Sequence, residues 1–161
     1  LVEKNEIATQ DYVFSGSVYD EYIMDDSKKT EIGTEVNSPN WNVKLIDIKK
    51  YSEVGDSLTF VAGEGKEFVL FYLEAQNTSL KDDYFNYLYF RFYVDGYITN
   101  QTIFLSDVDG YSSMSGDVAA GKKIKGYIAV EAPIGWKSVE LIYDDGTFTE
   151  NKVAEFGIIN E

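Results

Sequence analysis

The sequence predicts an all-β chain folded as an immunoglobulin-like sandwich of two antiparallel sheets. Three observations carry that reading. Apolar and polar residues alternate with period two from residue 41 onward, and a helical period never holds over a long window. Turn-forming residues punctuate the alternation at short intervals. A parallel sheet needs crossover helices between its strands, and no segment has their pattern.

Taken in order, Trp41, Val43 and Leu45 open the first long strand, and the alternation slips by one residue before Ile48, which predicts a β-bulge. After Gly63-Glu64-Gly65 comes a strand with Val69, Phe71, Leu73 and Ala75 on one face, closed by Asn77-Thr78-Ser79. From Tyr87 to Asp95 the pattern predicts another strand, with Leu88, Phe90, Phe92 and Val94 facing inward and Tyr87, Tyr89, Arg91 and Tyr93 outward. Asp95-Gly96 is a tight-hairpin signal. Ile124, Ile128 and Val130, then Val139, Leu141 and Tyr143, then Ala154, Phe156 and Ile158 mark the remaining strands, separated by turns at Pro133 to Gly135 and Asp144-Asp145-Gly146. Residues 35–161 thus form the sandwich domain. Residues 1–34 lack steady alternation and read as a leader or a face-covering segment; Ser17-Val18-Tyr19-Asp20 has capping-box spacing and predicts a short helix near residues 18 to 25.

The chain has 161 residues, enough to bury a core without staples, and it contains no cysteine, so neither disulfides nor thiolate metal sites are available. Its 14 basic and 28 acidic residues give a net charge of −14. Such a field repels nucleic-acid backbones and anionic membranes and attracts basic partners. The longest apolar run, Phe68 to Leu73, is far shorter than the roughly 20 residues of a membrane-spanning helix. No signal-peptide pattern surrounds Leu1, so the expectation is that an export signal was removed or never present.

There is no histidine, which removes Ser-His-Asp, Cys-His and His-zinc chemistry, and neither Ser-x-x-Lys nor Gly-x-Ser-x-Gly occurs. The chain is therefore expected to be no enzyme and to need no cofactor. The paired carboxylates Asp25-Asp26, Asp82-Asp83 and Asp144-Asp145 have the residue types of glycoside chemistry, but adjacent aspartates in loops are ordinarily turn formers. Asp107-Val108-Asp109-Gly110 contains a fragment of a calcium loop, with Asp107 and Asp109 as candidate ligands. It lacks the further acidic positions of an EF-hand, and a plain β-turn is the default.

The candidate binding surface is the outward stripe Tyr87, Tyr89, Arg91 and Tyr93, joined by Leu70 and Tyr72 on a neighbouring strand. Aromatic and arginine side chains are enriched in binding hot spots. The competing expectation is that the apolar residues between 12 and 24 cover this face and make it a second small core. Trp136, after a Pro-Ile-Gly turn, is a candidate for stacking on a glycan, whereas Trp41 opens a core strand. Asn77-Thr78-Ser79 and Asn100-Gln101-Thr102 match the glycosylation sequon, which matters only in a eukaryotic secretory pathway.

Residues 35–159 carry an ordered set of marks: Trp41-Asn42-Val43-Lys44-Leu45, Gly65-Lys66-Glu67-Phe68-Val69 followed by Asn77-Thr78, the Asp95-Gly96 turn, Gly116, Gly121 to Ile128, Pro133, and Val139 to Tyr143. In this order they resemble the telokin-like, immunoprotective-extracellular-antigen-like domains of unknown function found in Gram-positive bacterial lipoproteins and secreted proteins. The resemblance implies a domain outside the cell, tethered to its surface by a lipid, with no known ligand. The expectation is a non-catalytic binding or interaction module of the cell envelope with an unknown protein or glycan ligand. The alternatives are a carbohydrate-binding module using Trp136 and the tyrosines, or a structural accessory domain.

Overall fold

The structure is a computed structural model that describes residues 17–20, 31–148 and 152–159. Its strands are β1 (Ser17–Asp20), β2 (Glu35–Asn37), β3 (Trp41–Tyr51), β4 (Glu53–Val54), β5 (Phe60–Val61), β6 (Lys66–Asn77), β7 (Asp83–Phe85), β8 (Phe90–Val94), β9 (Tyr97–Thr99), β10 (Gln101–Thr102), β11 (Gly116–Val118), β12 (Lys123–Pro133), β13 (Ser138–Tyr143) and β14 (Lys152–Ile159). One sheet has the order β1-β14-β13-β8-β9 and the other β10-β12-β6-β3-β2, while β7 with β11 and β4 with β5 form two small ribbons. Every pairing between these strands is antiparallel, as the lack of crossover helices predicts.

The main core lies between the sheets. Val69, Phe71, Leu73 and Ala75 of β6 are all buried there, opposite Phe92 of β8 and Leu141 of β13, and the Phe71 and Phe92 rings meet at 5.7 Å. The slip after Leu45 is a bulge: Leu45 pairs with Leu73 but Asp47 with Tyr72, so Ile48 rather than Asp47 turns into the core. Asp95 and Gly96, at φ 50° and 83°, form the two-residue turn that joins β8 to β9.

A second core covers the other face of β6. Phe68, Leu70 and Tyr72 pack there with Tyr51, Val54, Phe104 and Tyr127, beneath the connections around residues 51–62 and 104–111. This corrects the expectation that Leu70 and Tyr72 belong to an exposed face, since they are 0% and 2% exposed. It also supplies a cover other than residues 12–24, most of which lie outside the described residues. Burying a phenol requires a partner for its hydroxyl. The Tyr51 and Tyr72 hydroxyls lie 2.8 Å apart and both donate to Asp109 Oδ2, at 2.8 and 3.2 Å. Burial, then these two neighbours, pushes the Tyr51 pKa far upward, so it stays a neutral donor.

Two local expectations fail. Residues Tyr87–Tyr89 form a 3₁₀ turn, not the start of a strand, because the Asn86 side chain accepts from Leu88 N–H and caps it. Leu88, expected inside, is consequently 68% exposed. Ser17–Asp20 form β1 rather than helix, pairing with β14 from Ser17 opposite Glu155 to Asp20 opposite Lys152. There the chain satisfies the main-chain groups of an otherwise open sheet edge, which outweighs the local capping pattern. The rest of the helix predicted near 18–25 lies outside the described residues.

Gly126 on β12 runs against the 112–114 segment: a Cβ there would stand 2.6 Å from the Ser112 carbonyl oxygen and 2.8 Å from Met114 Cα. Both obstacles are backbone, so Gly126→Ala is expected to lower stability by about 1–3 kcal/mol in denaturant melts. Glu155, on β14, is buried at its side chain, and that burial pushes its carboxyl up from 4.5 to about 7. The folded chain therefore holds this proton where the unfolded chain has lost it. Its contribution to stability falls as pH rises from about 4.5 to about 7 and is level above that. Glu155→Gln is expected to flatten this slope and to stabilise the fold by roughly 1–3 kcal/mol at pH 8 but not at pH 4, as read by thermal melts at both.

Candidate functional site

β8 and β9 pair only from Phe92 with Thr99 to Val94 with Tyr97, because after Thr99 the chain passes through Asn100 into β10 of the opposite sheet. The Phe90 carbonyl is thereby left without a strand partner on that side. Gln101 replaces the strand: its Nε2 donates to the Phe90 carbonyl at 2.9 Å and to that of Tyr87 at 2.8 Å. A groove of about 290 Å³ remains at this side of the sandwich, walled by Tyr87, Leu88, Arg91, Ile98, Gln101 and Ile103. Ile98 is 62% exposed, and Ile103 and Leu88 are exposed beside it.

The groove is mostly apolar, and its ionisable lining groups are Tyr87 and Arg91. From Gly96 to Ser106 the sequence carries no charge at all, although 26% of the chain is charged, and this run is bounded by Asp95 and Asp107. Because Gln101 already satisfies the main-chain oxygens at the groove's floor, an apolar ligand group entering it would strand no buried acceptor there. The arrangement is suited to holding an apolar group, with amide and hydroxyl groups of Asn100 and Thr99 at its rim.

The outward stripe expected from the sequence is divided by the fold. Tyr87 and Arg91 line the groove. Tyr89 instead packs edge-on against Phe85 and Tyr143, at 5.3 and 6.2 Å, with its hydroxyl donating to the Tyr84 carbonyl. Tyr93 is half-buried in register with Ile98 and Glu140. Leu70 and Tyr72 lie under the second core on the other sheet. Trp136 is 1% exposed, its Nε1 donating to Glu67 Oε2 at 2.9 Å and Lys50 Nζ standing 5.4 Å from its ring, so it offers no platform for a sugar. Trp41 is buried against Phe85, as expected of a core strand.

Asp107 and Asp109 are spent on the fold. Asp107 accepts from Ser112 Oγ at 2.9 Å, and Asp109 accepts from the two buried tyrosines. Val108 and Tyr111 exchange both main-chain hydrogen bonds across Asp109 and Gly110, at φ 52° and 78°, which makes the segment the plain β-turn that was the default. Among the described residues no group of three or more acidic, histidine or cysteine side chains is placed to hold a metal. The described carboxylate pairs also serve turns: Asp82 accepts from Ala120 N, Asp83 from Tyr84 N, and Asp144 from Gly146 N. Asp145 accepts from the Tyr143 hydroxyl at 2.6 Å and from Ser38 Oγ at 2.5 Å. Asp25 and Asp26 lie outside the described residues.

Leu88, Ile98, Gln101 and Ile103 were not anticipated from the sequence. For the last three the available signal was the uncharged run from Gly96 to Ser106, unusual in so acidic a chain, whereas Leu88 carried none.

The antiparallel two-sheet arrangement defines the class of protein, an all-β sandwich domain. Residues 30–153 match a family described as a domain of unknown function (DUF4352), and the chain belongs to that family. Solved structures share the fold. A candidate lipoprotein, ycdA, from Bacillus subtilis superposes with a TM-score of 0.60 at 17% identity, over 80% of this chain and 39% of that one. The chain thus spans well under half of the ycdA protein. A β-sandwich protein from Clostridium difficile gives 0.52 at 15% identity, over 76% and 89% of the two chains. A Listeria monocytogenes protein of unknown function gives 0.55 at 13%, over 92% and 90%. No curated protein sequence matches the chain.

Proposed function

We propose that this chain is a non-catalytic interaction module of the cell envelope, displayed outside the cell and tethered by a lipid, that holds a protein partner in the groove beside β9. One observation carries the proposal: exposed Leu88, Ile98 and Ile103 converge on one groove, the last two from the chain's uncharged run. Exposed apolar surface costs solubility and marks interaction sites when it is contiguous. The lipoprotein description of one fold relative supports the envelope location, as does the likeness to telokin-like and immunoprotective-extracellular-antigen-like domains drawn from the sequence. The glycan alternative is weakened because Trp136 is buried.

The test is binding to purified Gram-positive cell envelopes, measured by co-sedimentation. The intact chain is expected to pellet with them, to stop doing so after protease treatment of the envelopes, and to lose at least about tenfold in affinity with the pair Leu88→Asp and Ile98→Asp, the loss that about 1.4 kcal/mol produces. Leu80→Asp, at an exposed position that does not line the groove, should change nothing. Both sets are surface changes and should shift stability by less than about 0.5 kcal/mol. Equal pelleting of all variants overturns the groove as the site, and binding that survives protease but is lost on glycan digestion transfers the function to carbohydrate.

A further inference from the structure

The groove's chemistry also specifies the form of its occupant, an inference that rests on the reading just given. We propose that the partner enters as an extended segment with an apolar centre and lysine or arginine on its flanks, pairing its main chain with β9 and placing one apolar side chain in the groove.

The first argument is the sheet edge. β9 ends its sheet, so no described strand pairs with its outer side. Antiparallel pairs alternate between residues that exchange hydrogen bonds and residues that do not. In a hairpin closed by two residues, Val94 and Tyr97 exchange theirs, so the main-chain N–H and C=O of Ile98 point away from β8. Native edges are commonly blocked by charge, proline or a bulge. β2, at one edge of the other sheet, carries Glu35 and runs into Pro39. β9 is as short as β2 but carries no charge, proline or bulge: its residues are Tyr97, Ile98 and Thr99, with the first two exposed. An added strand gains main-chain hydrogen bonds from such an edge and specificity from a pocket beside it.

The second argument is charge. Both ends of the uncharged run carry an exposed aspartate, Asp95 and Asp107, on a chain with net charge −14. Arg91, the cation in the groove wall, is already engaged within the fold. Asp95 stands in the hairpin turn that opens β9, so an apolar segment with basic flanks complements the uncharged edge, the aspartate beside it and the negative field of the chain. An acid-flanked segment would meet like charge, and a second copy of this chain would bring another −14.

The experiment is selection of random linear twelve-residue peptides on the immobilised intact chain, with counter-selection on the Leu88→Asp, Ile98→Asp pair. Selected peptides are expected to share a β-branched or aromatic centre with lysine or arginine on both sides. Their affinity should fall at least tenfold when the basic residues become glutamate, and again when alternate main-chain nitrogens on one edge are methylated. In amide NMR spectra the shifts should centre on Tyr97 to Ile103. Groove-dependent peptides that are acid-flanked, or that tolerate N-methylation on either edge, overturn this inference and leave the groove reading intact. Peptides that bind the double variant as tightly as the wild type, or no enrichment at all, overturn both. A concentration-dependent dimer in sedimentation that the double variant abolishes assigns the edge to a second copy and overturns the inference.

Discussion

Burial of β6 on both faces is the constraint on which the rest of the chain depends. A strand of alternating residues ordinarily shows one face to solvent, but Lys66–Asn77 has large apolar groups on both. Val69, Phe71, Leu73 and Ala75 need the opposing sheet, while Phe68, Leu70 and Tyr72 need a second cover. The connections around 51–62 and 104–111 provide it. They bring Asp109 down to the hydroxyls of Tyr51 and Tyr72, so the two aspartates most suggestive of a cation site end as structural acceptors.

The groove follows from the same topology. A chain that supplies both sheets from one continuous run crosses between them repeatedly, and one crossing, from β9 to β10, falls at Asn100. Leaving early shortens β9 and exposes the edge of β8 at Phe90. Gln101 repairs the hydrogen bonding there but not the lost packing. What is left is an apolar notch whose polar floor is already satisfied, next to a strand edge that carries no charge. A site of this kind binds by area and main-chain pairing, which suits a polypeptide better than a compact polar metabolite.

The sequence was read well where a strand has one residue per pleat and a steady partner. The Leu45 to Ile48 slip, the Asp95-Gly96 hairpin, and the inward rows of β6, β13 and β14 all follow from local alternation and turn chemistry. It was misread where a side chain changed the backbone's course. Asn86 caps a 3₁₀ turn and rotates Tyr87, Leu88 and Tyr89 out of strand register, which divides the expected tyrosine stripe between the groove and the aromatic cluster around Phe85. The capping pattern at Ser17 was likewise overridden by an open edge on β14, a partner more than a hundred residues away.

The sequence by itself determined the class of fold, the inward residues of its long strands and the sign of its surface, because each depends on the order of neighbouring residues or on a sum over the chain. Only the tertiary structure decided which aromatic residues are available to a partner. Exposure is set by whatever packs across from a residue, and for Leu70, Tyr72 and Trp136 that is Tyr51, Phe104 and Glu67, contributed by distant segments. Ile98 stays exposed, because the next stretch of chain has left for the other sheet.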